Sequence, residues 1–235
     1  MKILAVTTSL SEDSTTQKLS DRIVDAAASA GRAAGLTVET EHINVRSLST
    51  ALTDMALTGF RSEELEEAYL KVAEADAIIT VTPVYKVAPV GLHTLFWQLI
   101  DEKALAGTPV LIASTGGTSR HSLAGETAMR PMLSYLKGIV VPTTVFAATD
   151  DWGSAEGGRA LNSRVRQAGE ELVALTASIR GLTGGEGGEG DEVDGNEGPD
   201  SLAPHRITIG RGEKRGVDDE FDPNRITPFA QLLEG

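Results

Sequence analysis

The chain contains no cysteine among its 235 residues. This absence excludes disulfide bonds and thiol redox chemistry. Basic residues are also scarce, since 21 Lys and Arg stand against 34 Asp and Glu and give a formal charge of −13. A nucleic-acid partner would call for a basic stripe, and an anionic membrane surface would call for basic clusters. We therefore expect neither kind of partner.

Long apolar runs are missing as well. No segment approaches the roughly 20 residues that a membrane-spanning helix needs. The sequence begins MKILAV, without the short apolar core and the small-residue cleavage site of a signal peptide. These absences predict a soluble cytoplasmic protein.

The acidic charge is concentrated toward the C-terminus. Residues 183–200 hold seven acidic residues and no Lys or Arg, a composition that cannot bury enough apolar surface to order itself. The sequence therefore predicts a domain at 1–180, a disordered acidic Gly-rich linker at 181–200 and a C-terminal tail at 201–235. The tail carries apolar residues that we expect to dock on a surface: Phe221, Ile226, Phe229, Leu232 and Leu233.

The first 180 residues alternate between apolar runs and helical patterns. The runs predict strands at Lys2–Thr7, Val38–Ile43, Asp76–Thr82, Pro109–Ala113 and Ile139–Ala147. Strands that alternate with helices favour a parallel sheet covered on both faces. We predict a three-layer α/β/α sandwich with a five-stranded parallel sheet of flavodoxin-like order 2-1-3-4-5. Residues 44–61, with their scattered Ser and Thr, are expected to be irregular.

One predicted helix is more apolar than a single buried face demands. It begins at Pro89, runs to Ile100 and places Phe96 beside Trp97. We expect that these two neighbours cannot both point inward. Because large exposed apolar patches are rare on monomers, this helix predicts the interface of a homodimer or homotetramer.

Three polar segments follow predicted strands at the point where each strand ends. They are Thr8–Gln17, Thr82–Pro89 and Ser114–His121. In open parallel sheets, ligands bind beyond the carboxyl ends of the strands. The function is therefore expected to depend on what these segments can hold.

The first segment has six hydroxyl residues directly before a helix. Hydroxyls and free backbone N–H groups at a helix N-terminus suit a phosphate. The alternative is a polar surface loop with an N-cap, which needs only one Ser or Thr. The segment has no Gly, so the dinucleotide fingerprint and the Walker loop are both absent. It has no Lys or Arg either, so neutral donors would hold the anion.

The other two segments carry groups that suit a planar ring. Tyr85 offers a flat ring and Lys86 a cation, and the alternative is a plain strand terminator with an exposed Tyr. Gly116 and Gly117 would let the backbone approach a ligand closely, and the alternative is an ordinary turn. His121 is expected to be a capping or hydrogen-bonded residue rather than a general acid, and no metal ligand accompanies it.

Taken together, these motifs resemble the NAD(P)H-dependent FMN reductases of flavodoxin-like fold. The resemblance covers about residues 1–180 and rests on T-P-V-Y-K at Thr82–Lys86 and on T-G-G-T at Thr115–Thr118, with His121 and Pro131 downstream. It is strongest toward the alkanesulfonate-type reductases that serve two-component monooxygenases. The F-D-P-N-R-I-T-P-F stretch at Phe221–Phe229 resembles a branch that is paired with luciferase-like monooxygenases.

The resemblance implies FMN and NADH or NADPH as cofactors and assigns residues to FMN. The phosphate would be cradled by Ser9, Ser11, Ser14, Thr16 and Gln17. The isoalloxazine would be lined by Pro83, Val84, Tyr85 and Lys86, and its polar edge approached by Thr115, Gly116 and Gly117 with His121 nearby. The first segment departs from the G-S-x-R opening of relatives. The missing Arg should weaken the hold on phosphate, which fits an exchangeable flavin.

In such an enzyme the cofactor carries the chemistry. Hydride would pass from nicotinamide C4 to flavin N5, so no catalytic acid or base is expected. Lys86 and the backbone at Gly117 would give electrostatic support to charge growing on the flavin. The reduced FMN would be supplied to a partner monooxygenase. The alternatives are an FMN-retaining quinone or azo reductase, a flavodoxin-like electron carrier, and a binding module with a degenerate site.

Overall fold

The computed structural model describes residues 1–11 and 14–182. The predicted tail at 201–235 and all but the first two residues of the predicted linker lie outside this range. No helix within it is long and apolar enough to cross a membrane.

A parallel sheet forms the centre of the molecule. Its strands are β1 (Lys2–Thr7), β2 (Glu39–Asn44), β3 (Ala77–Tyr85), the short β4 (Ala88–Pro89), β5 (Pro109–Gly116), β6 (Ile139–Val140) and β7 (Val145–Ala148). The order is β2-β1-β3-β5-β6; β7 also pairs with β5, and β4 pairs antiparallel with the end of β3. This confirms the predicted order 2-1-3-4-5, in which β6 and β7 share the last position.

Helices cover both faces of the sheet. On one face, α1 (Thr15–Ala33) and the last helix (Ala155–Arg180) pack on the sheet. The other face is covered by α2 (Ser49–Thr58), α3 (Glu63–Glu74), α4 (Gly91–Leu99) and α5 (Arg130–Tyr135). A one-turn helix, α6, spans Asp150–Gly153, so the last helix is α7. The predicted three-layer α/β/α sandwich is therefore confirmed.

Alternation along the strands explains the two cores. Successive side chains in a strand point to opposite faces of the sheet. In β1, Ile3 packs toward α1 and α7, while Leu4 packs toward α2 to α5, and both are fully buried. A strand covered on both faces needs apolar residues at nearly every position, which is why the inner strands β1, β3 and β5 are nearly continuous apolar runs in the sequence.

The last sheet position is interrupted, whereas the sequence predicted one strand from Ile139 to Ala147. Residues 141–144 leave the sheet between β6 and β7 and include Pro142, which has no N–H to donate. Arg130 donates to the carbonyl of Val141 at 3.2 Å, and Glu171 accepts from the Thr143 N–H at 2.9 Å. The backbone groups freed by the break thus find side-chain partners, as buried backbone groups must.

The prediction that residues 44–61 are irregular was wrong. A 3₁₀ turn spans Val45–Leu48 and α2 follows directly. Leu48, Leu52 and Met55, spaced by four and three residues, pack in or against the core. Tertiary packing of this apolar stripe stabilises a helix whose Ser and Thr content gave a weak local signal.

The expectation for α4 was also wrong, because Phe96 and Trp97 are both fully buried. The Phe96 ring lies 5.1 Å from that of Tyr69 in α3, and the Trp97 ring meets Phe96 edge-on at 5.1 Å. The helix packs against the sheet and against α2, α5 and Tyr69 of α3, so adjacent residues can both be inside. It starts at Gly91 rather than at Pro89, which pairs in β4.

Candidate functional site

The three polar segments meet at one edge of the sheet. Thr7 pairs with Val81 and Pro83 pairs with Thr115, so β1, β3 and β5 reach this edge in register. The Thr8 N–H continues the first pairing by donating to the Val81 carbonyl at 3.1 Å. The carboxyl ends of β1, β3 and β5 therefore form one surface, the edge at which parallel sheets bind ligands. We call it the carboxyl edge.

Segments two and three begin inside strands, not in loops as predicted. β3 continues to Tyr85 and β5 continues to Gly116. The polar pairs Thr82 with Ser114 and Pro83 with Thr115 extend the ladder. The predicted residues Pro83, Val84 and Thr115 are consequently buried and rigid, and Tyr85 stands exposed at the end of β3.

Segment one is largely bonded to itself. Ser14 is the N-cap of α1, and its hydroxyl accepts from the N–H groups of Thr16 and Gln17 at 3.2 and 3.4 Å. The Ser9 hydroxyl donates to the Ser11 carbonyl at 2.8 Å. The side chain of Gln17 is engaged by Thr7 and Asp21. Ser14 thus serves as the N-cap that was the alternative interpretation of this segment.

Several donors of this segment remain available to a ligand. The side chains of Ser11 and Thr15 are exposed. In residues 1–11 and 14–182, nothing accepts a hydrogen bond from the backbone N–H of Leu10, Ser11 or Thr15. These groups flank the N-terminus of α1, where the helix dipole favours an anion.

A buried hydrogen bond joins segment one to segment three. The hydroxyls of Thr16 and Thr115 lie 2.8 Å apart, and both residues are buried. Thr16, predicted to contact the phosphate, and Thr115, predicted to approach the ring, are therefore joined by a direct hydrogen bond. The Thr16 side chain is already committed to the protein, so its contribution to a phosphate would be to hold the surrounding backbone.

Segment two turns back through a tight hairpin. Val84 pairs with Pro89 and Tyr85 with Ala88, which leaves Lys86 and Val87 as a two-residue turn. Both have positive φ, 49° and 66°, as a type I′ turn requires. A β-branched residue in this region is strained, and such strain tends to occur at functional sites. The turn holds Tyr85 and Val87 out at the carboxyl edge, 56% and 66% exposed.

The two glycines of segment three differ in what surrounds them. A Cβ on Gly116 would lie 2.9 Å from Cζ of Phe146, so packing within the protein explains this glycine. A Cβ on Gly117 would meet no described atom within 4 Å, and its φ is not in the left-handed region. Packing among the described residues therefore does not require a glycine at position 117.

His121 ends a 3₁₀ turn at Ser119–His121 beside Gly116. The residue is half-buried, and its Nδ1 atom is shielded from solvent without a hydrogen-bond partner in the described part of the chain. Buried polar atoms are normally satisfied. The expectation of a capped or hydrogen-bonded His121 is therefore not met at Nδ1 among the described residues.

Asn44, at the end of β2, was missed by sequence reasoning. Its Oδ1 accepts from the N–H groups of both Ser9 and Arg46 at 3.2 Å. It thereby fixes the start of segment one from the side of β2. The order 2-1 of the sheet could have indicated it, since the end of β2 must lie beside the end of β1.

A buried polar cluster under segment one was also missed. His93 of α4 lies 2.8 Å from the Thr8 hydroxyl through Nδ1 and 2.8 Å from the Thr80 hydroxyl through Nε2. The Trp97 indole donates to Thr80 and to Nε2, both at 3.2 Å. Burial lowers the pKa of His93 to about 3. The helical spacing of His93 and Trp97 on one face was the available signal.

Comparison with known proteins agrees with this geometry. A family model described as NADPH-dependent FMN reductase matches residues 1–153. The chain is 36% identical over 114 residues to the NADH-dependent FMN reductase SfnE of Pseudomonas putida, a match covering 48% of this chain and 61% of SfnE. It is 39% identical over 113 residues to the FMN reductase (NADPH) of Escherichia coli K12, covering 48% and 58% respectively.

A solved structure supports the same relationship over a longer range. An oxidoreductase of Corynebacterium diphtheriae superposes with a TM-score of 0.71 at 38% identity, over 75% of this chain and 97% of that one. The sequence matches span about three fifths of the length of SfnE and of the Escherichia coli relative. Those two relatives are named for different coenzymes, so they favour neither NADH nor NADPH. The family match covers well over half of the sequence, and the chain belongs to the NADPH-dependent FMN reductase family.

Proposed function

We propose that this protein is an NAD(P)H-dependent FMN reductase whose reaction takes place at the carboxyl edge. The observation that carries the proposal is the meeting of the three segments there, with Thr16 and Thr115 joined at 2.8 Å. When bound, the flavin supplies the redox chemistry by accepting a hydride from the nicotinamide. The protein then needs only to bind and orient two flat molecules, which fits an edge whose described residues form no Ser-His-Asp or paired-carboxylate arrangement.

The residues at the edge fit the two ends of FMN. A phosphate would be held at segment one by the free N–H groups near Leu10, Ser11 and Thr15, with Ser9, Ser14, Thr16 and Gln17 shaping the loop. The ring would lie against Val84 and Tyr85 and close to Gly117. Donors around Gly117 and the Lys86 ammonium group would stabilise negative charge at its polar edge, with His121 nearby.

We propose that the flavin is exchanged as a substrate rather than retained. Segment one contains no Lys or Arg, so phosphate binding relies on neutral donors, which bind an anion less strongly than charged ones. Four of its hydroxyls also already bond within the protein. An exchangeable flavin suits delivery of reduced FMN to a two-component monooxygenase of the luciferase-like kind, in the cytoplasm.

We also propose that the chain forms a homodimer or homotetramer. Since α4 is covered within the subunit, the support now comes from elsewhere. Leu57, Phe60 and Leu70 on the α2–α3 side are 80%, 70% and 52% exposed, and large apolar side chains at the surface often mark contacts between chains. Sedimentation velocity at micromolar concentration tests this, and a purely monomeric boundary contradicts it.

The proposed reaction has a direct test. NADH and NADPH oxidation is measured with the purified full chain, with and without added FMN, FAD and riboflavin. We expect colourless protein that oxidises a nicotinamide only when free flavin is present, with FMN preferred to riboflavin because the phosphate is bound. Yellow protein that turns over without added flavin would contradict flavin exchange. Absence of any flavin-dependent oxidation would contradict the function itself.

A further inference from the structure

The polar cluster below segment one lies in an otherwise apolar layer. Thr8, Thr80 and His93 are at most 1% exposed, and Trp97 is fully buried. Removing polar groups from water costs free energy unless each group is hydrogen-bonded. Here every ring nitrogen and both hydroxyls have a partner. A fully satisfied buried network of this kind makes the elements that it joins rigid.

His93 bonds both threonine hydroxyls in either tautomer. The Trp97 indole can only donate, and its single N–H lies 3.2 Å from both the Thr80 hydroxyl and Nε2, so it has an acceptor in either case. With the ring proton on Nδ1, that nitrogen donates to the Thr8 hydroxyl oxygen; with the proton on Nε2, Nδ1 accepts from the Thr8 hydroxyl. The 2.8 Å hydrogen bond between Thr8 and His93 is present in both.

Thr8 is the residue at which β1 becomes segment one. Its backbone N–H is bonded to Val81 in β3, and its side chain is bonded to His93 in α4. The next residue, Ser9, is bonded to Asn44. The start of the segment is thus fixed from both sides, and among the described residues His93 is the only hydrogen-bond partner of the Thr8 hydroxyl.

We propose that His93 is a positioning residue for FMN, which through its hydrogen bond to Thr8 holds the start of segment one, at Thr8 and Ser9, in place for binding of the phosphate. This inference rests on the proposed function. A loop that binds an anion through neutral donors gains most in affinity when its conformation is fixed before binding, because less conformational entropy is then lost on association.

The chain offers a matched pair of variants. Thr8→Val and Thr80→Val each remove one buried hydroxyl from the same imidazole, at the same 2.8 Å distance. Only Thr8 belongs to segment one. We expect Thr8→Val to raise the KM for FMN about fivefold, the change that corresponds to one neutral hydrogen bond, with kcat at saturating FMN little changed. The Thr80→Val variant is expected to leave the KM for FMN unchanged.

Substitutions of His93 give a second comparison. In His93→Gln the side-chain amide takes the place of Nε2 and no longer forms the hydrogen bond to the Thr8 hydroxyl. The KM for FMN should therefore rise as in Thr8→Val. In His93→Asn the amide replaces Nδ1 and can again form a hydrogen bond to Thr8, so the KM should return toward the wild-type value. Thermal unfolding of each variant shows that it is folded at the assay temperature. If the His93 variants do not fold, the Thr8 and Thr80 pair decides the question alone.

The readouts are the FMN KM and the FMN dissociation constant from quenching of flavin fluorescence. Equal shifts in Thr8→Val and Thr80→Val, or no shift in either, would overturn the positioning role. Failure of the wild-type chain to quench FMN or to oxidise NAD(P)H with FMN would instead overturn the proposed function, and it is seen before any variant is compared.

Discussion

Alanine substitutions at the adjacent Gly116 and Gly117 should distinguish an effect on folding from an effect on ligand binding, since each substitution adds a single methyl group. In Gly116→Ala the new Cβ would lie 2.9 and 3.3 Å from two ring atoms of Phe146. The far end of that half-buried ring must move, and overpacking of this kind costs about 1 kcal/mol at the low end of its range. For a domain of this size, such a loss corresponds to a fall in Tm of about 2–4 °C.

In Gly117→Ala the new Cβ meets no described atom. Because the backbone there is not left-handed, Ala should instead stabilise the fold by about 0.4–1 kcal/mol through the unfolded chain. If FMN lies against this backbone, the methyl group overlaps it. We expect the KM for FMN to rise at least about tenfold, which corresponds to roughly 1.4 kcal/mol.

The two variants are compared by thermal unfolding and by FMN-dependent NAD(P)H oxidation. The expected pattern is crossed: Gly116→Ala is less stable, and Gly117→Ala is at least as stable as the wild type but binds FMN poorly. A Gly117→Ala protein with an unchanged KM for FMN would refute the reasoning that a ligand approaches this backbone. A Tm for Gly116→Ala equal to that of the wild type would refute the role assigned to Phe146.

Three further predictions concern other parts of the edge. The Tyr85→Ala variant should raise the KM for FMN without lowering the Tm, because the ring is 56% exposed; unchanged flavin kinetics would remove the hairpin from the site. The Val87→Gly variant should raise the free energy of unfolding by about 1 kcal/mol, since φ is 66°; denaturant melts check this, and a destabilised variant would contradict strain at the turn. Because burial lowers the pKa of His93 to about 3, the unfolded chain binds the extra proton below the ordinary pKa of about 6.5. The contribution of the neutral His93 ring to the free energy of unfolding should therefore be full above pH 6.5 and be lost as the pH falls toward 3, by up to about 1.4 kcal/mol per pH unit. The wild type should lose more stability over this range than His93→Gln, because carboxylates with lowered pKa, such as Glu126 and Glu171, contribute a loss in both proteins; an equal loss in the two would contradict the reasoning.

Much of the fold could be predicted because its signals are local. The apolar runs of β1, β3 and β5 and the spacing along α1, α3 and α7 gave the alternation of strands and helices, and the order of the sheet followed. Two local predictions failed where packing decided the outcome. The weak pattern of α2 is helical because Leu52 fits the core, and Phe96 and Trp97 are both buried because α4 packs against the sheet and against the helices beside it.

The candidate site was predicted in part. Parallel strands bring their carboxyl ends to one edge, so the meeting of the three segments followed from the sequence. The partners of each side chain did not. The bond between Thr16 and Thr115 spans 99 positions, and that between Thr8 and His93 spans 85. No local pattern encodes such pairs, and Ser14 and Ser9 proved to be bonded within the segment.

The sequence by itself determined the layers of this protein, the family and the edge at which a ligand is expected, because burial period and strand polarity are properties of short stretches of chain. Only the tertiary structure decided which hydroxyls are committed to the protein, which glycine has open space beside it and which histidine is buried. Those properties depend on distances between residues far apart in the chain, and such distances exist only once the layers have packed.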